Sequence, residues 1–191
     1  MPIRIFIDQG HNPQGVNAGA EGNGLREQDI TYHVGVMLAQ MLNDDPRFTA
    51  RLSRNSPTDS LGTSNATSLQ ARVNMANSWP ANYFISIHCN ANANPAINGS
   101  EVYVYQAGTQ SYWLGQHILN SVVEQAGTRD NGVRVNPSLY VLRRTAMPAV
   151  LVELAYLTNP ADAQKLRDGQ QWFAQGIYYG LLSYFGFPRQ P

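Results

Sequence analysis

The amino-acid sequence predicts one three-layer α/β domain occupying residues 1–191. Three observations lead there. Apolar, β-rich runs at Ile3–Ile7, Tyr83–Ile87 and Val150–Val152 are close to continuous rather than alternating, as strands buried on both faces are. Segments of helical periodicity separate them, and strands alternating with helices build a sheet covered on both sides. The length suits one well-cored domain, and no internal repeat or linker divides it.

Each element has a local reason. Ile3 to Ile7 opens the sheet, and the Gly-, Asn- and Ala-rich residues 12–24 form a loop. Glu27 then begins a helix with Ile30, Val34, Met37, Leu38 and Met41 on one face and Pro46 beyond its end. Phe48 to Ser53 is a short strand, followed by a Ser/Thr/Asn/Pro-rich loop over Asn55 to Asn65. Thr67 or Ser68 can cap a helix carrying Leu69, Val73 and Ala76. After the strand Tyr83 to His88, residues 90–99 form a loop, and Glu101 to Tyr105 alternates like a strand with one exposed face. A helix over Tyr112 to Ala126 places Leu114, Ile118 and Val122 in register. Tyr140 to Arg143 reads as a short strand, and Ala149 to Val152 as the last buried one. Asn159-Pro160 starts a helix, since proline suits a first turn, and an aromatic-rich helix over Gln170 to Tyr184 closes the chain.

The chemistry lies at the strand ends. His11 stands just past the first strand, His88 ends the central one, and Glu153 follows Val150-Leu-Val. In open α/β sheets ligands bind outside the carboxyl ends of the strands, so the three point to one site. A catalytic zinc ion takes three protein ligands and keeps one position for water. His11, Glu27 and His88 suit the ligand set, and Glu153 suits a proton-transferring carboxylate. Each also has a plainer reading: a hydrogen-bonded histidine at a strand end, or, for Glu27, an acid favoured by the helix dipole. Glu153 resists that reading, because a carboxylate ending a buried run is costly unless paired or functional.

Other chemistries find little support. No Gly-x-Ser-x-Gly elbow and no phosphate-binding Gly-x-x-x-x-Gly-Lys-Ser/Thr is present, and Gly19, Gly22 and Gly24 lack the spacing of a dinucleotide loop. His33 and His117 lie inside helical segments and read as surface or packing residues. Thirteen basic and thirteen acidic residues balance to zero formal charge, and no basic cluster exceeds Arg143-Arg144, which argues against nucleic acid as a partner. The single Cys89 excludes an internal disulfide and reads as a buried thiol. No apolar run is long enough to span a membrane, and the N-terminus enters a strand without an export signal.

On these residues the sequence resembles the zinc-dependent N-acetylmuramoyl-L-alanine amidases of the amidase 3 type, which are cell-wall hydrolases. Ile7-Asp-Gln-Gly-His11 stands for the family's Asp-Pro-Gly-His-Gly, and Gly22-Asn-Gly-Leu-Arg-Glu27 for its approach to the glutamate. Ser86-Ile-His88-Cys-Asn90, Leu139-Tyr-Val-Leu-Arg143, Met147-Pro-Ala-Val-Leu-Val-Glu153 and Leu157-Thr-Asn-Pro160 continue the match in order. Gln9, Asn12 and Cys89 replace the family's usual Pro, Gly and Ala. The resemblance implies a twisted, mostly parallel sheet flanked by helices on both faces. It implies one zinc ion held by His11, Glu27 and His88, with Glu153 as the catalytic carboxylate and Asn90 and Arg143 near substrate.

The implied substrate is peptidoglycan, cut at the amide between N-acetylmuramic acid and L-alanine, with no obligate protein partner. Some relatives carry a helix that plugs the site. Residues 89–149 hold only elements the basic fold needs, so an open groove is expected, bordered by the loops at Asn55 to Asn65 and Asn90 to Asn98. Such an enzyme acts outside the cytoplasm, as a trimmed secreted domain or one released by lysis. Two other readings stay open: a zinc carboxypeptidase or aminopeptidase on free peptides, and a catalytically silent wall-binding module.

Overall fold

A six-stranded sheet runs in the order β4-β1-β5-β8-β6-β7. Its strands are β1 (Ile3–Gln9), β4 (Phe48–Leu52), β5 (Tyr83–Asn90), β6 (Ser100–Val104), β7 (Asp130–Val135) and β8 (Ala149–Tyr156). A computed structural model describes residues 1–189. The β4, β1, β5 and β8 strands are mutually parallel, whereas β6 runs antiparallel to β8 and parallel to β7. The carboxyl ends of β1, β5 and β8 therefore share one edge, and β6 begins there.

Residue alternation along the strands assigns the two layers. Ile5, Ile7, Ile85, Ile87, Val150 and Val152 face one side. There they pack on α1 (Glu27–Asp44), α3 (Gln110–Ala126) and α6 (Gln170–Phe185). Phe6, Phe84 and Leu151 face the other, against α2 (Asn65–Ser78) and α4 (Tyr140–Arg144). The α5 helix (Pro160–Asp168) is capped by Asn159, whose side chain accepts from the Asp162 N–H, and has proline in its first turn. The α3 and α6 backbones approach closely at Gly176 and Gly180. A Cβ on Gly180 would lie 2.5 Å from the Ile118 Cα.

Several sequence expectations change. Tyr140 to Arg143 is not a strand but the short helix α4, whose Val141 and Leu142 are buried against the second layer. A run that short does not distinguish strand from helix by periodicity. Ser64, rather than Thr67 or Ser68, caps α2: its hydroxyl accepts from the Thr67 N–H while Thr67 reaches back to the Ser64 N–H. Inside residues 12–24, β2 (Glu21–Gly22) and β3 (Leu25–Arg26) form an antiparallel hairpin. Asn23 and Gly24 turn it with φ of 49° and 74°, the left-handed geometry that an Asn-Gly turn favours. The edge strand β7 carries Asp, Asn, Gly and Arg, so no apolar pattern announces it. Glu101 is not on an exposed face: it is 1% exposed, on the side that packs Tyr103 toward α2 and α4.

Candidate metal centre

The site begins as a row across the sheet. Gly10, just past β1, donates its N–H to the Ile87 carbonyl at 2.9 Å, which sets it beside the end of β5. His88 is the register partner of Glu153, and Glu153 of Glu101. Strands paired in register point opposed side chains to the same face, so the three leave one surface together. Glu27 arrives from the first turn of α1, and His11 from the loop after β1.

Three of these residues converge tightly. Glu27 Oε1 lies 3.0 Å from His11 Nε2 and 3.0 Å from His88 Nδ1, and the two ring nitrogens are 3.1 Å apart. Glu27 Oε1 also accepts from the Cys89 N–H at 3.0 Å, and Oε2 from the Ala20 N–H at 2.9 Å. Glycines make room for this. A Cβ on Gly10 would stand 2.6 Å from His88 Cε1 and Nε2, and one on Gly19 would stand 2.9 Å from Glu27 Oε2.

The donor set fits a metal ion. His11 Nδ1 faces the Asn17 carbonyl at 3.2 Å, an oxygen that can only accept, so Nδ1 carries the ring hydrogen. A neutral His11 then presents a lone pair at Nε2, directly against the lone pairs of Glu27 Oε1. Such an arrangement is repulsive until a cation or proton lies among the three atoms. Donors bound tetrahedrally at about 2.0–2.1 Å stand about 3.3 Å apart, within a few tenths of the spacing here. Burial opposes ionisation of Glu27, yet with protons rather than a metal on the ring nitrogens that face it, hydrogen bonds and charge from His11 and His88 overcome that cost and hold its carboxyl well below the usual range. His11, Glu27 and His88 can thus hold a metal. The side chains of His11 and His88 keep 19% and 18% of their surface exposed, so the cluster opens to solvent.

The neighbouring carboxylates differ in kind. Glu153 Oε2 is sealed from solvent and has no hydrogen-bond partner among the described residues. Burial, reinforced by the charges of Glu27 and Glu101, pushes its carboxyl well above the ordinary value. Glu101, which sequence reasoning missed, is anchored instead. Its Oε1 accepts from Asn90 Nδ2 at 2.6 Å and Tyr103 OH at 2.9 Å, and Oε2 faces Arg134 Nε at 3.0 Å. The parity of Glu101 with Tyr103 on β6, opposite Val102 and Val104, was the available signal.

Asn90 joins the row through Glu101, whereas Arg143 lies on α4, exposed, with its guanidinium 6.0 Å from the centre of the Tyr140 ring. Among the described residues no hydrogen bond or ion pair ties Arg143 to the cluster. Cys89 is buried, and burial raises its thiol pKa well above the ordinary value. His117 bonds Ser183 at 2.9 Å between α3 and α6, a packing role.

Comparison with known proteins places this geometry. N-acetylmuramoyl-L-alanine amidase LytC of Bacillus subtilis is 39% identical over 95% of this chain, which spans 35% of that protein. N-acetylmuramoyl-L-alanine amidase CwlM of Bacillus licheniformis is 36% identical over 98% of the chain and 70% of its own length. The chain thus spans about a third of the first relative's length. Among solved structures, an N-acetylmuramoyl-L-alanine amidase from Clostridium difficile 630 superposes with a TM-score of 0.86 at 31% identity, covering 97% of both chains. These relatives give no support to the peptidase or binding-module readings. The family model Amidase_3, described as N-acetylmuramoyl-L-alanine amidase, matches residues 5–183. The chain belongs to the N-acetylmuramoyl-L-alanine amidase family.

Proposed function

We propose that this chain hydrolyses the amide between N-acetylmuramic acid and L-alanine in peptidoglycan, using one zinc ion held by His11, Glu27 and His88. The observation that carries the reading is the convergence of three donor atoms at 3.0–3.1 Å, with Glu153 in register beside His88. A zinc ion there supplies Lewis acidity, which activates water and polarises the scissile carbonyl. Glu153 moves the proton: its carboxylate accepts one from the attacking water, and the resulting acid delivers it to the departing alanyl nitrogen. Burial and the charges of Glu27 and Glu101 raise the proton affinity of this carboxyl above that of an ordinary glutamate, which suits it to take a proton from water.

Asn90, held by Glu101, presents an amide for hydrogen bonding to the glycopeptide. Arg143 supplies an exposed cation farther along the surface for the acidic stem peptide. The loop at residues 55–65 meets the site on the His11 side, where Asn12 bonds the Leu61 N–H and carbonyl, each at 3.0 Å, and in this reading it and residues 90–98 flank the bound glycopeptide. The whole of residues 1–191 acts as one catalytic domain at the cell wall, and no described helix is long and apolar enough to cross a membrane.

Metal titration tests the assignment. Chelator-treated protein takes up one zinc ion per chain, His11→Ala, Glu27→Ala and His88→Ala lose it, and Glu153→Ala keeps it. Full zinc content in all three ligand variants would overturn it.

A further inference from the structure

One face of α2 is polar where it meets the His11 loop. Asn65, Ser68 and Arg72 follow at i, i+3 and i+7, a spacing that aligns side chains along a helix. Arg72 is 1% exposed and bridges two segments. Its Nη1 donates to Asp8 Oδ1 and the Gln9 carbonyl, each at 2.6 Å. Its Nη2 donates to the His11 carbonyl at 2.7 Å and to Asn12 Oδ1 at 3.2 Å. Farther up the helix, Asn65 Oδ1 accepts from the Asn17 N–H at 2.7 Å, and Asn17 Nδ2 donates to Ser68 Oγ at 3.0 Å.

The two residues so gripped are unusual. His11 and Asn17 have φ of 70° and 57°, in the left-handed region that side-chained residues seldom enter. Between them, the Asn17 carbonyl accepts from the Asn12 N–H at 2.9 Å and from His11 Nδ1 at 3.2 Å. Arg72 thus holds the His11 backbone, while Asn65 and Ser68 hold the residue whose carbonyl selects the His11 tautomer.

We infer that the polar face of α2 is the positioning device for His11, with Arg72 setting the backbone and Asn65 and Ser68 setting the ring through Asn17. This rests on His11 being a metal ligand. A buried ion pair serving stability alone needs only the Asp8 contact. The second guanidinium nitrogen, turned toward the loop, does not contribute to that pair. Lysine at position 72 can meet Asp8 with one nitrogen but cannot span both segments.

The test compares wild type, Arg72→Lys and the double variant Asn65→Ala/Ser68→Ala, which leaves the Ser64 cap in place. Zinc affinity is read by chelator competition, the metal-free melting temperature by calorimetry, and the His11 tautomer by ¹⁵N NMR of the metal-free protein. Zinc affinity is expected to fall about 10–100-fold in both variants, as when a metal ligand loses its supporting hydrogen bonds. The double variant should melt within about 3 °C of wild type and lose its preference for the Nδ1–H form of His11. Affinity within twofold of wild type, or falling only in step with metal-free stability, would overturn the inference. If Arg72→Lys fails to fold, the double variant decides. A wild type that binds no zinc overturns the site reading itself, and this inference with it.

Discussion

Glu101 and Glu153 are direct partners across the antiparallel pairing of β6 and β8, two carboxylates side by side at the end of one sheet. The structure treats them differently. Glu101 Oε1 accepts from Asn90 and Tyr103 and its Oε2 is ion-paired with Arg134, whereas among the described residues Glu153 Oε2 is sealed with neither a hydrogen bond nor an ion pair. Carboxylates in such different surroundings are suited to separate tasks. Glu153→Gln is expected to lower turnover by about 10³-fold or more while zinc content stays at one per chain. Glu101→Gln, which loosens Asn90, is expected to reduce turnover about 10-fold at unchanged zinc content. Steady-state assays with parallel metal analysis check both.

Gly10 leaves no space for a side chain under His88. A Cβ at 2.6 Å from the ring must displace either His88 or the Ile87 carbonyl, itself 2.7 Å away. Gly10→Ala is expected to weaken zinc binding about 10-fold or more, with far-ultraviolet circular dichroism unchanged. Chelator competition measures it.

Away from the site, Asp45 gives a pH-dependent contribution to stability. Hydrogen bonds from Arg47, joined by one from Tyr178, outweigh the cost of burial and hold its carboxyl at about 2. Because the folded value lies below the unfolded value of about 3.9, the stabilisation is complete above that pH. It is lost as pH falls through about 2. Arg47 keeps part of its surface in water, so about 1–2 kcal/mol is expected rather than the full value. The stability gap between wild type and Asp45→Asn, measured by denaturant titration, should narrow steadily from pH 4 to pH 2. A gap independent of pH would contradict this.

The α3–α6 contact depends on Gly180, where a Cβ would meet the Ile118 Cα at 2.5 Å. Gly180→Val must push the helices apart and is expected to cost about 2–3 kcal/mol. Zinc affinity should be unchanged, since neither helix supplies a site residue.

The fold was legible where burial leaves its mark on single residues. Ile3–Ile7, Tyr83–Ile87 and Val150–Val152 are apolar because both sheet faces are covered, and the residues ending them lie at the site. The edge strand β7 leaves no such mark, since one side has no strand neighbour and its residues are largely polar. Asn23-Gly24 was a readable hairpin signal inside what looked like a featureless loop. The α4 segment shows why so short an apolar run is ambiguous: Val141 and Leu142 bury equally well from one helical turn. At the site, the convergence of His11, Glu27 and His88 was readable, but Glu101 and the polar face of α2 were not. Their roles come from register across β8 and from a helix meeting a loop, relationships that local pattern does not encode.

Digestion of purified peptidoglycan with identification of the new end group tests the central claim most directly. New N-terminal L-alanine should appear, vanish after chelation, and return when zinc is restored. A new reducing sugar end, or no new amine from zinc-loaded protein, would contradict the proposed activity.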